Sequence, residues 1–288
     1  MAHETKLLSP GRLYVVATPI GNRDDLSARA IATLQAVDTI ACEDTRHSAP
    51  LLSAIGSKAR LFALHDHNEQ QASDALIALL AKGADLALIS DAGTPLISDP
   101  GFRLVQKAAA AGFPVVPIPG PSALIAALSV AGLPSDRFSF EGFLPAKSTA
   151  RRAVLQALSG DPRTLIWYEA PHRIAETLGD AVVVFGPERA GVIARELTKT
   201  FETVLRGSLG ELVTRVNADP NQQRGEIVLL VAGAPVAEAS VRQLAEGERI
   251  FALLRQELPA SSAVRLAAAI SGAPKNALYG LVENGCKA

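Results

Sequence analysis

Three clusters in this sequence have the residue types and spacing for chemistry. The densest is Ser90-Asp91-Ala92-Gly93-Thr94-Pro95-Leu96-Ile97-Ser98-Asp99-Pro100-Gly101, which holds two Gly, two Pro, two Ser, one Thr and two Asp. Glycines there let backbone groups approach a ligand closely, and the aspartates can meet a cationic or hydroxyl-bearing one. The second cluster, Glu43-Asp44-Thr45-Arg46-His47, packs two acids, a hydroxyl, an Arg and a His together. It reads either as a functional site or as a solvated loop with an internal ion pair. The third, His65-Asp66-His67, offers two imidazoles, but no third metal ligand stands at a recognisable spacing, so no metal is expected. Two nucleotide signatures are missing: no G-x-G-x-x-G follows the first strand and no G-x-x-x-x-G-K-[ST] occurs. Their absence weighs against a ligand gripped through a di- or triphosphate.

Strand ends must position these clusters. Leu86–Ile89, four apolar residues in a row, suit a strand buried on both faces, and the dense loop follows at once. Leu13–Ala17 reads as a first such strand and ends in Thr18-Pro19-Ile20-Gly21-Asn22. Asp24 or Asp25 can cap a helix running through about Gln35. Thr39–Cys42 is a short strand before the Glu43–Ser48 loop, and Arg60–Leu64 a third before His65. Gln70–Lys82 is helical, with apolar positions at Ala75, Leu76, Leu79 and Leu80. A helix near Phe102–Ala111 leads to a strand at Val115–Ile118 and to Pro119-Gly120-Pro121-Ser122-Ala123. This alternation predicts a parallel, doubly wound sheet with the polar loops on one rim. In such sheets ligands bind outside the carboxyl ends of the strands.

After Gly132 the pattern changes. Arg137–Glu141, Thr164–Tyr168, Ala181–Phe185, Gly191–Arg195, Phe201–Arg206 and Glu226–Val231 read as strands, and Thr149–Leu158 as a helix. A second α/β domain with a mixed sheet is expected. Val241–Leu258, Ser261–Ile270 and Lys275–Glu283 then read as helices. The expected domains are 1–120, 121–235 and 236–288. Lys147, Arg151, Arg152, Arg163, His172 and Arg173 give the second domain a basic start, although Arg151 and Arg152 can equally face solvent on a helix.

The chain has 288 residues, 48% of them apolar, enough for a real core. Its formal net charge of −1 excludes a global basic field, so any nucleic acid must be held by local patches. Two cysteines, Cys42 and Cys286, far apart in sequence, argue against a disulfide framework and fit a reducing compartment. The opening Met1–Lys6 lacks the apolar core of a signal peptide. The apolar stretch near Leu124–Leu133 is too short to span a membrane. A soluble, cytoplasmic protein is expected.

The motifs, taken in order, carry a resemblance. Thr18-Pro19-Ile20-Gly21-Asn22 with Asp25-Leu26-Ser27, Cys42-Glu43-Asp44-Thr45-Arg46 and Ser90–Pro95 with Ser98–Gly101 resemble the ribosomal RNA small-subunit methyltransferase I family. Pro119–Ala123, Tyr168-Glu169-Ala170-Pro171-His172-Arg173, Arg195-Glu196-Leu197-Thr198-Lys199 and Gly225-Glu226-Ile227 continue it over nearly the whole chain. Arg23 departs from the apolar residue expected there. That family belongs to the tetrapyrrole methylase group, whose members use S-adenosylmethionine. The resemblance implies two α/β domains of that type with the S-adenosylmethionine cleft between them, in a homodimer. It implies methylation of the ribose 2′-hydroxyl of a cytidine in 16S ribosomal RNA of the small subunit. Cofactor contacts are implied at Ala17, Asp91, Ala92, Gly93, Thr94, Pro95, Ser98, Ser122, Ala123, Tyr168 and Gly225. Ser122 and Ala123 begin a helix, whose N-terminus favours the cofactor's carboxylate.

A ribose hydroxyl is a poor nucleophile, so the rim acids and histidines become candidates for proton removal. Glu43, Asp44 and Arg46 are the catalytic candidates, with His65, His67 and His172 as further possible bases. Lys147, Arg151, Arg152, Arg173, Lys275 and Asn276 are the expected RNA contacts. In the last segment Ser271-Gly272-Ala273-Pro274 separates two helical stretches, which reads as helix-turn-helix with Lys275 and Asn276 opening the second helix. A lid or dimer contact is the plainer reading of those helices. Two competing functions stay open: methylation of a tetrapyrrole precursor, and a non-catalytic RNA-binding protein of the same fold.

Overall fold

The computed structural model describes residues 10–285; Met1–Lys6 and Cys286 lie outside them. The described residues form two units, one of residues 10–131, 193–204 and 225–228, the other of residues 132–192, 205–224 and 229–285.

The first unit is built on five strands, β1 (Leu13–Val16), β2 (Thr39–Cys42), β3 (Arg60–Ala63), β4 (Leu86–Leu88) and β5 (Val115–Ile118). Their order across the sheet is β3-β2-β4-β1-β5, all parallel. Side chains alternate between the faces of a strand, and both faces are covered here. Val16, Ile40, Cys42, Ala87 and Ile89 pack on one face with Leu34 of α1 (Ala28–Ala36) and Leu52 of α2 (Thr45–Ala54). Leu13, Ala41, Leu86 and Leu88 pack on the other with Leu76 and Leu80 of α3 (Glu69–Ala81) and Leu104 of α4 (Phe102–Ala110). Because every strand points the same way, all five chain exits lie on one rim. The predicted doubly wound sheet is therefore the observed one.

Two local readings change. Asp24 and Asp25 sit in a short 3-10 turn, and Ser27 caps α1 by accepting from the Ala30 N–H at 3.1 Å. Residues 45–48, expected as loop, open α2; Asp44 is its cap, and Pro50 lies inside it. Pro50 hid the helix, because proline in an interior turn removes one backbone donor. The boundary expected at residue 120 also moves. After β5 the chain continues into α5 (Ala123–Ala131) within the first unit, and the Thr94 hydroxyl donates to the Pro121 carbonyl at 2.9 Å.

A second sheet has the order β6-β7-β10-β8-β9, from β6 (Phe138–Phe143), β7 (Thr164–Glu169), β8 (Ala190–Arg195), β9 (Thr203–Ser208) and β10 (Ile227–Val231). Its helices are α6 (Ser148–Leu158), α7 (Ile174–Phe185) and α8 (Leu209–Ala218), the last opened by a reciprocal Ser208–Glu211 capping box. Ala181–Phe185, read as a strand from its β-branched run, is the end of α7. Ile174, Thr177, Leu178, Ala181 and Phe185 are buried at helical spacing, while Val183 is exposed.

Three helices follow: α9 (Val236–Leu254), α10 (Ala260–Ser271) and α11 (Lys275–Gly285). Val264, Ala267, Ala268, Ala273 and Leu278 form their own small core with Leu244, Ile250 and Phe251. Gly272, at φ +74°, turns α10 toward α11, and a Cβ on Gly247 would press on Ala273. No helix among the described residues is long and apolar enough to cross a membrane.

Candidate functional site

The rim of the first sheet gathers the loops that the sequence singled out. Thr18 and Gly93 pair in both directions, N–H to carbonyl, at 2.9 and 3.1 Å, which clips the β1 loop to the β4 loop. The Thr18 hydroxyl also donates to the Ser90 carbonyl at 3.1 Å. Gly93 has φ +83°, and a Cβ on Gly120 would come within 3.0 Å of the Ala17 Cβ. Leu96 and Ser98 also take positive φ, at 73° and 68°. Non-glycine residues there cost of order 1–3 kcal/mol each and persist only where the surroundings enforce them. At the end of this loop the Glu69 carboxylate accepts from the Gly101 and Arg103 N–H groups at 2.9 and 3.0 Å, at the start of α4.

Ala17, Asp91, Ala92, Gly93, Thr94, Pro95, Ser98, Ser122, Ala123 and Gly225 all belong to the first unit, with Ala123 the first residue of α5. Tyr168 belongs to the second unit, near the end of β7, with its ring edge-on to Phe140 and Phe143 at 4.8 and 5.7 Å.

A pocket of about 330 Å³ opens on the rim. Pro19, Ile20, Pro50, Leu51 and Ile89 form its apolar walls; Ser48, Asp91, Lys199 and Glu226 are among its polar groups. Asp91 Oδ1 is buried and has no hydrogen-bond partner. Such an oxygen calls for a donor, from a ligand or from water. Acids crowd this end of the sheet. Asp99 is pushed up to about 6, first by burial and then by the Glu43 charge, against a Ser90 hydrogen bond. Glu43 is held above its usual range by burial, then by Asp91 and Asp66, with His65 opposing. The Cys42 thiol is raised chiefly by burial. This concentration of negative charge suits a cationic ligand.

Asp44 behaves differently. Its Oδ1 accepts from the Arg46 N–H at 2.8 Å as the cap of α2, and its Oδ2 accepts from the guanidinium at 2.9 Å. These bonds hold it down at about 2. His65 and His67 lie edge to face, their ring centres 6.1 Å apart, and among the described residues no group of three His, Cys, Asp or Glu is placed to hold a metal ion.

The basic residues of the second unit are largely committed. Arg151, expected as an RNA contact, has only 1% of its side chain exposed; its Nε donates to Asp180 at 2.7 Å and its Nη2 pairs with Glu176. Burial of a cation demands such partners, so this residue holds α6 to α7 and does not face RNA. Arg152 also bonds Asp180, Arg163 pairs with Asp161, and Arg173 donates to the Leu144 carbonyl and pairs with Glu169. Lys147, His172, Lys275 and Asn276 are exposed.

Sequence reasoning missed Lys199 and Glu226 as pocket residues. They stand 27 positions apart, and Thr198, beside Lys199, accepts from the Asn22 N–H across 176 positions. No local pattern marks contacts of that separation; only their place in recurrent motifs could have drawn attention to them.

The family described as Tetrapyrrole (Corrin/Porphyrin) Methylases matches residues 12–213, and the RsmI C-terminal HTH domain matches residues 242–282. A protein of Xylella fastidiosa (strain Temecula1) named Ribosomal RNA small subunit methyltransferase I is 59% identical over 94% of this chain and 99% of its own length. Proteins of the same name from Pseudomonas aeruginosa and Escherichia coli O157:H7 are 58% and 54% identical, over 94% and 96% of this chain and 96% of each relative. Among solved structures, the methyltransferase CobJ aligns with a TM-score of 0.58 at 19% identity, covering 78% of this chain and 95% of that one. Uroporphyrin-III-C-methyltransferase from Thermus thermophilus aligns at 0.54 and 20%, covering 77% and 94%. At such identities these two speak to the fold alone.

Proposed function

The chain belongs to the tetrapyrrole methylase family, and from that premise we propose that it transfers the methyl group of S-adenosylmethionine to the ribose 2′-hydroxyl of a cytidine in small-subunit ribosomal RNA. The observation that carries this reading is the buried, unpartnered Asp91 Oδ1 in the wall of the rim pocket. The cofactor has what that oxygen lacks, an ammonium and two ribose hydroxyls. The glycine-lined Gly93 and Gly120 loops and the surplus of acids fit a bulky, positively charged ligand. The likeness to relatives above 50% identity favours RNA over a tetrapyrrole as the acceptor.

When bound, the cofactor supplies an activated methyl on a sulfonium, so no metal or covalent enzyme intermediate is required. Asp91 then anchors the cofactor, and the clipped Thr18–Gly93 loops hold its contour. Fixing two reactants in an attacking geometry recovers roughly 7–11 kcal/mol of barrier. Glu43 takes the acceptor proton. Its elevated pKa makes it a better base than Asp44, whose carboxylate is occupied by Arg46 and the α2 cap. General-base help of this kind contributes about 10²–10⁴-fold. Lys275 and Asn276, exposed at the start of α11, contribute local RNA contacts that a nearly neutral chain needs.

The test is methyl transfer from labelled S-adenosylmethionine to small subunits lacking the modification, followed by mapping of the labelled nucleotide. Label on the 2′-oxygen of one cytidine is expected. Label on a base, or none, would overturn the assignment.

A further inference from the structure

Lys199, which ends the run Arg195-Glu196-Leu197-Thr198-Lys199, and Glu226 have no part in the chemistry above, yet both line the rim pocket. Lys199 Nζ donates to Glu196 Oε1 at 2.9 Å and to Glu226 Oε2 at 3.0 Å. Glu196 in turn accepts from the Glu226 backbone N–H at 2.9 Å. The backbone is held as firmly. Glu196 and Thr198 take positive φ, 52° and 66°, although neither is glycine. The Thr198 N–H donates to Glu202 at 2.6 Å, and its hydroxyl oxygen accepts from the Asn22 N–H at 3.1 Å. A Cβ on Gly21 would overlap the Lys199 stem, and one on Gly225 would overlap Glu196. Residues of three separate segments thus fix one ammonium at the pocket wall.

The charges say what that ammonium can bind. Burial disfavours a charged Lys199, but its two carboxylate partners outweigh burial and raise its pKa, so it is a donor and not a base at neutral pH. One ammonium between two carboxylates leaves a net charge of about −1. Arg23 lines the same pocket and Arg195 acts on Glu196, so what Lys199 takes is decided by the donor it presents. Of the three N–H groups of an ammonium, two go to the glutamates and one is left for the pocket.

Resting on the proposed ribose methylation, we propose that the Lys199–Glu226 part of this pocket, beside the part where Asp91 takes the cofactor, is the acceptor subsite, and that Lys199 donates a hydrogen bond to the 2′-oxygen about to be methylated. Lys199 is then an acceptor-binding residue that orients the lone pairs of the hydroxyl. The phosphates of the RNA are held elsewhere.

The experiment compares wild-type full-length protein with Lys199→Met and Gly21→Ala. Each is titrated, with S-adenosylhomocysteine present, against small subunits reconstituted with unmodified RNA or with RNA carrying 2′-deoxycytidine at the mapped target. For Lys199→Met, affinity for the ribose form is expected to fall about tenfold or more, while that for the deoxy form changes less than about twofold. The salt dependence of binding and the affinity for S-adenosylmethionine stay as in wild type. Gly21→Ala, which keeps the lysine but displaces its stem, shows the same pattern more weakly, and covers the case in which Lys199→Met fails to fold. Equal losses on both RNAs overturn the proposal. So does a salt slope reduced by about 0.7–0.9, which marks a phosphate contact, or a loss confined to cofactor affinity. Failure of wild type to methylate a 2′-oxygen appears before any variant is made, and overturns the parent reading with it.

Discussion

Asp44 and Arg46 hold each other two positions apart, one carboxylate oxygen on the Arg46 backbone N–H at 2.8 Å and the other on its guanidinium at 2.9 Å. The pair separates two acids that are adjacent in sequence. Asp44 is spent on starting α2, whereas Glu43, with its pKa raised, remains available to a proton.

The first prediction follows from that separation. Glu43→Gln should lower turnover by about 10²–10⁴-fold while leaving cofactor affinity and melting temperature unchanged. Asp44→Ala should lower the melting temperature, because α2 loses its cap. Single-turnover kinetics and calorimetric melts on the two variants decide it; a thermally stable, inactive Asp44→Ala would reverse the roles.

Asp91→Ala should weaken S-adenosylmethionine binding by about 1.5–3 kcal/mol, the range for a charge-assisted hydrogen bond. Isothermal titration reads this directly. An unchanged dissociation constant would remove Asp91 from the cofactor site.

Cofactor binding should depend on pH through Asp99. Its pKa is raised, so the folded apo-protein holds a proton between 3.8 and about 6 that the unfolded chain has released. The associated stability is fully present below that window and is lost as pH rises through it. A bound cation favours the ionised carboxylate. Affinity should therefore rise with pH up to about 6 and then level off, with protons released on binding in the lower range. Titrations in buffers of different ionisation enthalpy count those protons. Asp99→Asn should flatten the profile, and a wild-type profile already flat would refute the coupling.

Truncation after Ala234 removes α9–α11, which carry a core of their own. Cofactor affinity should survive, RNA affinity should fall, and the salt slope should drop by about 0.7–0.9 for each phosphate that the shortened chain no longer grips. Undiminished RNA binding by the truncated protein would show that Lys275 and Asn276 do not hold RNA.

The parts of this architecture legible in the sequence were those governed by short-range pattern. Leu86–Ile89 announced a buried strand because its neighbours on both faces demand apolar residues, and the turn chemistry after it announced the rim. α2 escaped because Pro50 and a polar first turn disguise a helix whose cap, Asp44, also reads as a catalytic acid. The α7 end escaped because Val182, Val183 and Val184 carry strand propensity that its helical burial pattern overrides. Arg151 looked like a surface cation, and only the fold brings Asp180 to it across 29 positions. Lys199 and its two glutamates stood in motifs the sequence displayed, but only the fold brings them together.

The three-segment construction of the first unit has a consequence for the order of synthesis. All five strands of its sheet, with the Asp91 loop, have been made by residue 118, but Lys199 and Glu226 come much later. At translation rates of about 5–20 residues per second, roughly a hundred further residues separate a nascent sheet from a closed pocket by about 5–20 s. During that interval the chain carries the Asp91 loop without Lys199 and Glu226 beside it. A growing polypeptide beside the ribosome that makes it therefore cannot engage ribosomal RNA through a finished pocket until most of its own length has been translated.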